Sequence, residues 1–315
     1  MKISVITTQT DAVRRQDPFC EALRNYLDFA DEVVIVDGDK PEGLTAEFVN
    51  KLMQMSDSIF SKIKLVGFEW PDEFEWSHIG KAFQKGYEDA TGDWTIKLDL
   101  DQFIHEDDFE SIREFLKDQT APVCKMPKKQ FLRCDYFKAK AHLPFVLNKG
   151  KYGDRIKLDS GIDLCEPSLD GEHIDLKIMP VVSRKVPIVI SDNVTPEQIK
   201  KRVPNYFVEN GVKYTYTDEI PIWNYDKSFC DRNVIRKEFA RFGRAWKRTF
   251  GNTPFSEGDE SKSLDEFMRL MTGRWCNGGW TKCELEDHPK YVQKIIKNLT
   301  SDKFGYSMFG TTAKK

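Results

Sequence analysis

The sequence predicts an α/β fold: a mostly parallel sheet flanked by helices, followed by a C-terminal helical extension. Three observations lead there. Short apolar runs alternate with amphipathic stretches through the first hundred residues, the pattern that right-handed βαβ crossovers produce. The fourth such run ends in two carboxylates, Asp99 and Asp101. From Asp226 onward, three apolar stripes recur at helical spacing.

Ile3 to Thr7 reads as the first strand. Asp17-Pro18 then supplies an N-cap and a proline at the first helical position, and Phe19, Leu23, Tyr26 and Leu27 share one helical face. Glu32 to Asp37 is a second buried strand ending in Gly38, and Leu44 to Met55 a helix. Ile63 to Phe68 is the third strand. Ser77 caps a helix on which Ile79, Phe83, Tyr87 and Ala90 recur, and Gly92 stops it. Trp94 to Leu98 is the fourth strand. Glu106 to Leu116 reads as a helix with an acidic start, which suits the positive end of its dipole. Residues 121–190 alternate short β runs with turns. Residues 196–226 mix prolines with the alternating stretch Tyr214-Thr215-Tyr216-Thr217. The closing stripes are Phe229, Ile235, Phe239, Phe242, Trp246; then Leu264, Phe267, Leu270, Met271; then Tyr291, Val292, Ile295, Ile296, Leu299. The expected division is an α/β domain over 1–226 and a helical extension over 227–315 that packs on it.

Composition narrows the function. The 48 basic and 51 acidic residues are mixed along the chain and leave a net charge of −3. No one-sign block is present to track a nucleic-acid backbone, so that partner is set aside. No apolar run is long enough to span a membrane, and Met1-Lys2 leads straight into a strand rather than a signal sequence. Seven cysteines without a Cys-x-x-Cys pair argue against a disulfide framework and a zinc ribbon. The expected location is cytoplasmic. Arg241, Arg244, Lys247 and Arg248 make one helical face basic, a solvated face by default, with a peripheral membrane surface or an acidic acceptor as its other use.

In extended chain, residues two apart point to the same side, so Asp99 and Asp101 would form an acidic cup at a strand's end. Hard divalent cations take oxygen ligands of this kind and bring phosphate oxygens with them. Ligands of parallel α/β sheets bind beyond the carboxyl ends of the strands. Thr7, Thr8, Asp37, Asp99 and Asp101 all fall on that rim.

The ordered series Ile3-Ser4-Val5-Ile6-Thr7-Thr8, Val33-Val34-Ile35-Val36-Asp37-Gly38, Gly80-Lys81-Ala82, Ala90-Thr91-Gly92-Asp93-Trp94 and Leu98-Asp99-Leu100-Asp101 resembles the GT-A glycosyltransferases, most closely those of family 2. The resemblance covers about residues 1–110. It implies a metal-dependent transferase that moves a sugar from a UDP- or GDP-type nucleotide-sugar donor to a glycan, lipid-linked or protein acceptor, with inversion. By family role, Thr7 and Thr8 would line the base and ribose pocket and Asp37 would hydrogen-bond the base. Lys81 would lie near the base or diphosphate. Asp99 would touch the ribose or a metal-bound water, and Asp101 would ligate Mn2+ or Mg2+. The stretch Gly38-Asp39-Lys40-Pro41-Glu42-Gly43 departs from the family pattern and leaves Asp37 and Asp39 as alternative base contacts.

Inverting transfer needs a carboxylate to take the acceptor proton. Asp163 and Glu166, in the glycine-containing segment Asp159–Pro167, are the candidates. His288 is a candidate further metal ligand, whereas His105, directly before Glu106-Asp107-Asp108, reads as a helix-start residue. Two rival readings overlap in fold. A sugar-phosphate nucleotidyltransferase would carry a glycine-rich loop after the first strand, where Thr7-Thr8-Gln9-Thr10-Asp11 has none. A non-catalytic nucleotide-sugar-binding module would have no need of the intact acidic pair. Arg274-Trp275-Cys276-Asn277-Gly278-Gly279-Trp280 reads first as core packing and second as a surface for stacking a sugar.

Overall fold

The computed structural model describes residues 1–38, 61–158, 166–184, 188–189, 206–209, 212–215, 218–251 and 258–306. The helix expected over Leu44 to Met55 lies outside them. The main sheet is built from β1 (Ile3–Gln9), β2 (Glu32–Asp37), β3 (Ile63–Gly67), β4 (Trp94–Lys97), β5 (Gln102–Phe103), β6 (Val123–Arg133), β7 (Tyr136–Leu147), β8 (Ile222–Asn224) and β9 (Thr281–Lys282). Its order is β3-β2-β1-β4-β7-β6-β8-β5, with β9 added beside β7. The first four strands pair in parallel, as the alternation of strand and helix requires. The β6–β7 hairpin and β9 add antiparallel pairs, while β8 runs parallel to β6. The α-helices of eight residues or more among the described residues are α1 (Phe19–Phe29), α2 (Ser77–Asp89), α3 (Phe109–Lys117), α4 (Arg232–Phe250), α5 (Glu260–Cys276) and α6 (Lys290–Lys297).

Period-2 alternation along the central strands divides the core. Val5, Val33 and Ile35 face α1, where they meet Ala22, Leu23 and Tyr26 in a cluster that also takes in Phe115 of α3 and Val292 of α6. Ile6 and Val34 face the other way, onto Phe83 and Tyr87 of α2 and onto Ile156, Leu158 and Met179. Each such large side chain, fully buried, contributes about 1.5–3 kcal/mol. A third cluster joins α4 to α5 through Val234, Ile235, Phe267 and Met271 and anchors both on Leu132 of β6 and on Phe304. Among the described residues beyond 227, helices α4, α5 and α6 are joined by the strand β9, which returns to the main sheet.

Two helix starts differ from expectation. Asp17 does not cap α1. Pro18 is the N-cap residue and no side chain caps it, because the Asp17 carboxylate is drawn to Arg15 at 3.6 Å and Lys227 at 3.9 Å. Ser77 is the first residue of α2 rather than its cap, and the preceding Trp76 N–H donates to Thr249 Oγ1 of α4 at 2.9 Å. The other end of α2 approaches the sheet so closely that a Cβ on Gly86 would lie 2.8 Å from Val36.

The basic face of α4 makes contacts within the fold. Arg248 donates to the Phe74 carbonyl at 2.7 and 2.9 Å, Arg244 to the Gly258 carbonyl at 2.8 Å, and Arg241 pairs with Glu238 at 2.9 Å. Among the described residues no helix is long and apolar enough to cross a membrane, and the described cysteines are all free.

Candidate active site

The acidic pair lies on a turn. β4 ends at Lys97, and the Gln102 N–H donates to the Asp99 carbonyl at 2.9 Å, closing a β-turn over Asp99–Gln102. The two carboxylates therefore owe their approach to the turn and not to the alternation of an extended strand. α1 holds that turn in place from below. The Tyr26 hydroxyl, 1% exposed, sits 2.7 Å from the Asp99 carbonyl and 2.9 Å from that of Gln102. Its neighbour Asn25 pairs with the Ile104 backbone in both directions, donating at 2.8 Å and accepting at 3.0 Å, as a strand would. The Gln102 amide clamps Asp99 from the side, accepting from its N–H at 3.2 Å and donating to Oδ2 at 2.9 Å. Every one of these bonds fixes backbone or one carboxylate oxygen, a rigid mount for a ligand-binding turn.

A third carboxylate stands beside the pair. Tyr225, just after β8, donates its N–H to the Asp101 carbonyl at 2.9 Å, which brings Asp226 next to Asp101. Asp226 adopts a left-handed conformation, φ 45°, a strain of about 1–2 kcal/mol for a residue with a Cβ. Burial, then Asp99 and Asp226, push the Asp101 carboxyl well above the usual carboxylate range, with Lys227 pulling it back. Burial opposes the charge on Lys227, but Asp17 and then Glu238 outweigh it and hold the ammonium above its ordinary value. Arg15 extends this network, 3.0 Å from Glu238 and 3.6 Å from Asp17. The result is a concentrated acidic turn bordered by fixed cations.

The rim at β1 and β2 is built differently. Thr7 is fully buried, and its Oγ1 has no hydrogen-bond partner among the described residues. Its neighbour Thr8 is half-buried. Asp37 accepts from the Gln9 amide across the two strands. Trp70 closes over this corner, its indole N–H donating to Thr10 Oγ1 at 2.8 Å. Gly38 is the residue that permits it: a Cβ there would fall 1.7 Å from Trp70 Nε1. Lys81 is exposed on the second turn of α2.

Asp39 and Asp163 lie outside the described residues. Glu166 pairs with His173 at 3.7 Å, beside a small sheet formed by 156–157, 168–169 and 172–173. His288 corrects an expectation. It is 1% exposed, packed at tilted angles among Phe131, Trp223 and Tyr225, with Nδ1 2.6 Å from the Tyr225 hydroxyl and a second hydrogen bond to the Cys134 backbone. Both bonds and the apolar surroundings make it a core histidine, and burial pushes its pKa down to about 4. His105 keeps the helix-start role, accepting from the Asp107 N–H at 3.2 Å.

Among the described residues, no group of three or more His, Cys, Asp or Glu side chains forms a metal cage. Two carboxylates with hard oxygen donors nonetheless fit Mg2+ or Mn2+ of the kind bound through one or two acids plus substrate phosphates. The crowding that pushes up the Asp101 carboxyl is what a dication relieves.

Sequence reasoning missed Arg15, Asp226 and Lys227. Arg15 and Asp17 carried a signal, charged residues directly after the first rim. Asn224-Tyr225-Asp226-Lys227 carried none, because only the β8 pairing brings it to Asp101.

No protein-family model and no curated protein matches the chain. Among solved structures it is similar to S. aureus TarS 1–349 in complex with UDP-GlcNAc, at 13% identity over 95% of this chain and 82% of that one, TM-score 0.38. It is also similar to glucosyl-3-phosphoglycerate synthase GpgS from Mycobacterium tuberculosis in complex with Mn2+, UDP-glucose and phosphoglyceric acid, at 14% identity over 42% and 44%, TM-score 0.26. The glycosyltransferase GlyE of Streptococcus pneumoniae TIGR4 shows a likeness at 14% identity over 49% and 35%, TM-score 0.29. These likenesses are distant, and what the chain does is read from its own residues.

Proposed function

We propose that this chain is a divalent-cation-dependent glycosyltransferase that moves a sugar from a nucleotide-sugar donor of UDP or GDP type to an acceptor hydroxyl, with inversion. One observation carries the reading: Asp99 and Asp101 share a turn, clamped by Tyr26, Asn25 and Gln102, that follows β4 of the parallel sheet. That is where such sheets present ligands. Asp37, Thr8 and the Trp70 corner beyond β1 and β2 would receive the nucleoside, with Asp39 and Lys81 nearby in sequence or on the facing helix. Asp101, with Asp99, would hold Mg2+ or Mn2+, which when bound offsets the negative charge that grows on a departing diphosphate.

The remaining work falls to the protein. Lys227 and Arg15 stand beside the acidic turn and favour the same developing charge. A carboxylate must accept the acceptor's proton as its oxygen bonds to the anomeric carbon and the bond to the diphosphate breaks. We assign that role to Asp226. It borders Asp101, and its left-handed backbone is the kind of strain that persists where function holds it. Glu166 lies 3.7 Å from His173 on the exposed edge of the small sheet. Attack opposite the leaving group gives inversion in one step.

The test is a panel of UDP- and GDP-sugars incubated with Mn2+ and followed by release of nucleoside diphosphate. Turnover of at least one donor, abolished in Asp101→Ala, is expected. Release of pyrophosphate from a nucleoside triphosphate and a sugar phosphate would replace this reading with nucleotidyl transfer.

A further inference from the structure

We propose that the cavity between the β6–β7 hairpin and α5 is the acceptor subsite and that its occupant is a polyhydroxy compound carrying a phosphate group. The inference rests on the glycosyl-transfer reading above and gives it an acceptor class. The cavity is about 150 Å3 in volume. Asp226, Lys227 and Ser228 form one wall, so it abuts the acidic turn through the segment that Tyr225 ties to Asp101. The lining also carries Lys138, Lys140 and Arg274.

Strand register makes these cations crowd. Lys128 stands directly opposite Lys140, and Gln130 opposite Lys138. Cross-strand neighbours and residues two apart share a face, so three lysines project together. Arg274 comes from the last turn of α5. Like charges directly opposite destabilise a sheet. Elsewhere this chain places acids against its surface lysines, as in Lys64–Asp89, Lys282–Glu284 and Lys290–Asp28. Here, among the described residues, no carboxylate pairs with Lys128, Lys138, Lys140 or Arg274. The polar contacts present are Lys138 to the Gly278 carbonyl at 3.1 Å and Arg274 to Met271 Sδ at 3.9 Å. Lys138, Lys140 and Arg274 thus line one hollow whose lining carries a single carboxylate, Asp226, while Lys128 crowds Lys140 from the facing strand. Burial and then Arg274, Lys138 and Lys128 hold the Lys140 ammonium below its ordinary pKa, the strain an anion would remove.

Two further features suit a phosphorylated sugar or polyol better than a simple anion. Ser228 lines the cavity, is 1% exposed, and its hydroxyl has no hydrogen-bond partner among the described residues. A buried, unpaired hydroxyl costs stability unless something pairs with it. Trp280, stacked on Trp275 at 5.5 Å, gives an apolar plate beside the cations on which a ring can lie. Phosphate, with several acceptor oxygens and up to two charges, uses more of these donors than a carboxylate does. Bound this way, a hydroxyl remote from the phosphate points toward Asp226 and the acidic turn.

The experiment uses the full chain and two probes, glucose 6-phosphate and glucose, titrated while tryptophan fluorescence is read. A parallel titration with UDP and Mn2+ reports on the donor side. Expected are saturable quenching by glucose 6-phosphate, none by glucose at the same concentrations, and at least a tenfold loss of affinity in Lys140→Gln/Arg274→Gln. UDP binding and Tm in that variant should stay as in the wild type, because these cations bond to nothing that holds the fold. Equal binding of glucose 6-phosphate by variant and wild type would overturn the proposal, as would no saturable response or equal responses to the two probes. A parallel loss of UDP binding would assign the cations to the donor instead, and a Tm lowered by several degrees would make them structural. Failure of UDP to bind the wild type, with phosphate binding intact, would count against the donor reading alone.

Discussion

The acidic turn and the cationic cavity lie on either side of residues 225–228 and are built on opposite principles. At the turn, Tyr26, Asn25 and Gln102 commit backbone and side-chain groups to holding Asp99 and Asp101 in one arrangement. Repulsion among the carboxylates is tolerated because the frame is over-determined. In the cavity, Lys138, Lys140 and Arg274 have almost no bonds to the protein, and their mutual repulsion is held by the β7 strand and the last turn of α5 that carry them. The first region is rigid and dominated by carboxylates, with Lys227 and Arg15 at its border; the second is adaptable and dominated by cations, with Asp226 at its edge. Rigidity suits a site that must meet a developing charge at one point, and looseness suits the recognition of a bulky acceptor.

Substitutions can break this contrast. The largest effect is expected at Asp101: replacing it with Ala should lower sugar transfer by about 10³-fold, the scale on which loss of charge stabilisation at a leaving group acts, read as initial rate of nucleoside diphosphate release. Asp226→Asn should cost about 10²–10⁴-fold in transfer while leaving UDP affinity within about twofold, so that rate and binding assays separate the two acids. A wild-type rate in Asp226→Asn would return the proton-accepting role to Glu166 or Asp163.

Stability measurements sharpen the same contrast at smaller scale. His288 has a folded pKa of about 4 against an ordinary value of 6.5, so the unfolded chain binds the proton first. Its contribution is complete above pH 6.5 and is lost as pH falls toward 4. The loss should amount to about 3 kcal/mol at 1.36 kcal/mol per unit, read from urea midpoints, and should vanish in His288→Gln. Tyr26→Phe, which removes the hydroxyl shared by the Asp99 and Gln102 carbonyls, should cost about 1–2 kcal/mol. Lys140→Gln should be neutral or stabilise by up to about 1 kcal/mol, by relieving the pair with Lys128. A destabilising Lys140→Gln together with a harmless Tyr26→Phe would reverse the assignment of rigid and loose regions.

The first half of the fold was legible in sequence because β1 and β3 are each followed by an amphipathic helix, α1 and α2, that packs on the sheet. Val5 and Ile6 sort to opposite faces by period alone, and Asp99 with Asp101 stood out where the fourth run stopped. What escaped was anything set by pairing distant in sequence. The Asp17 cap failed because Lys227, far along the chain, competes for its carboxylate. Asp226 had no local mark, since β8 reaches Asp101 through strand order rather than succession. His288 looked like a ligand beside Pro289, and only the ring cluster of Phe131, Trp223 and Tyr225 reveals it as core. The cationic cavity was invisible for the same reason: Lys128 and Lys140 become neighbours only in the hairpin register.

The central claim is that Asp101 holds a dication against a nucleoside diphosphate. It is tested most directly by calorimetric titration of UDP and of GDP into the wild type and Asp101→Ala, each with and without Mn2+. One nucleotide should bind the wild type at least tenfold more tightly with Mn2+ than without, and the variant should show no such difference while melting as a folded protein. Mn2+-enhanced binding that survives in Asp101→Ala, or no binding of either nucleotide by the wild type, would contradict it.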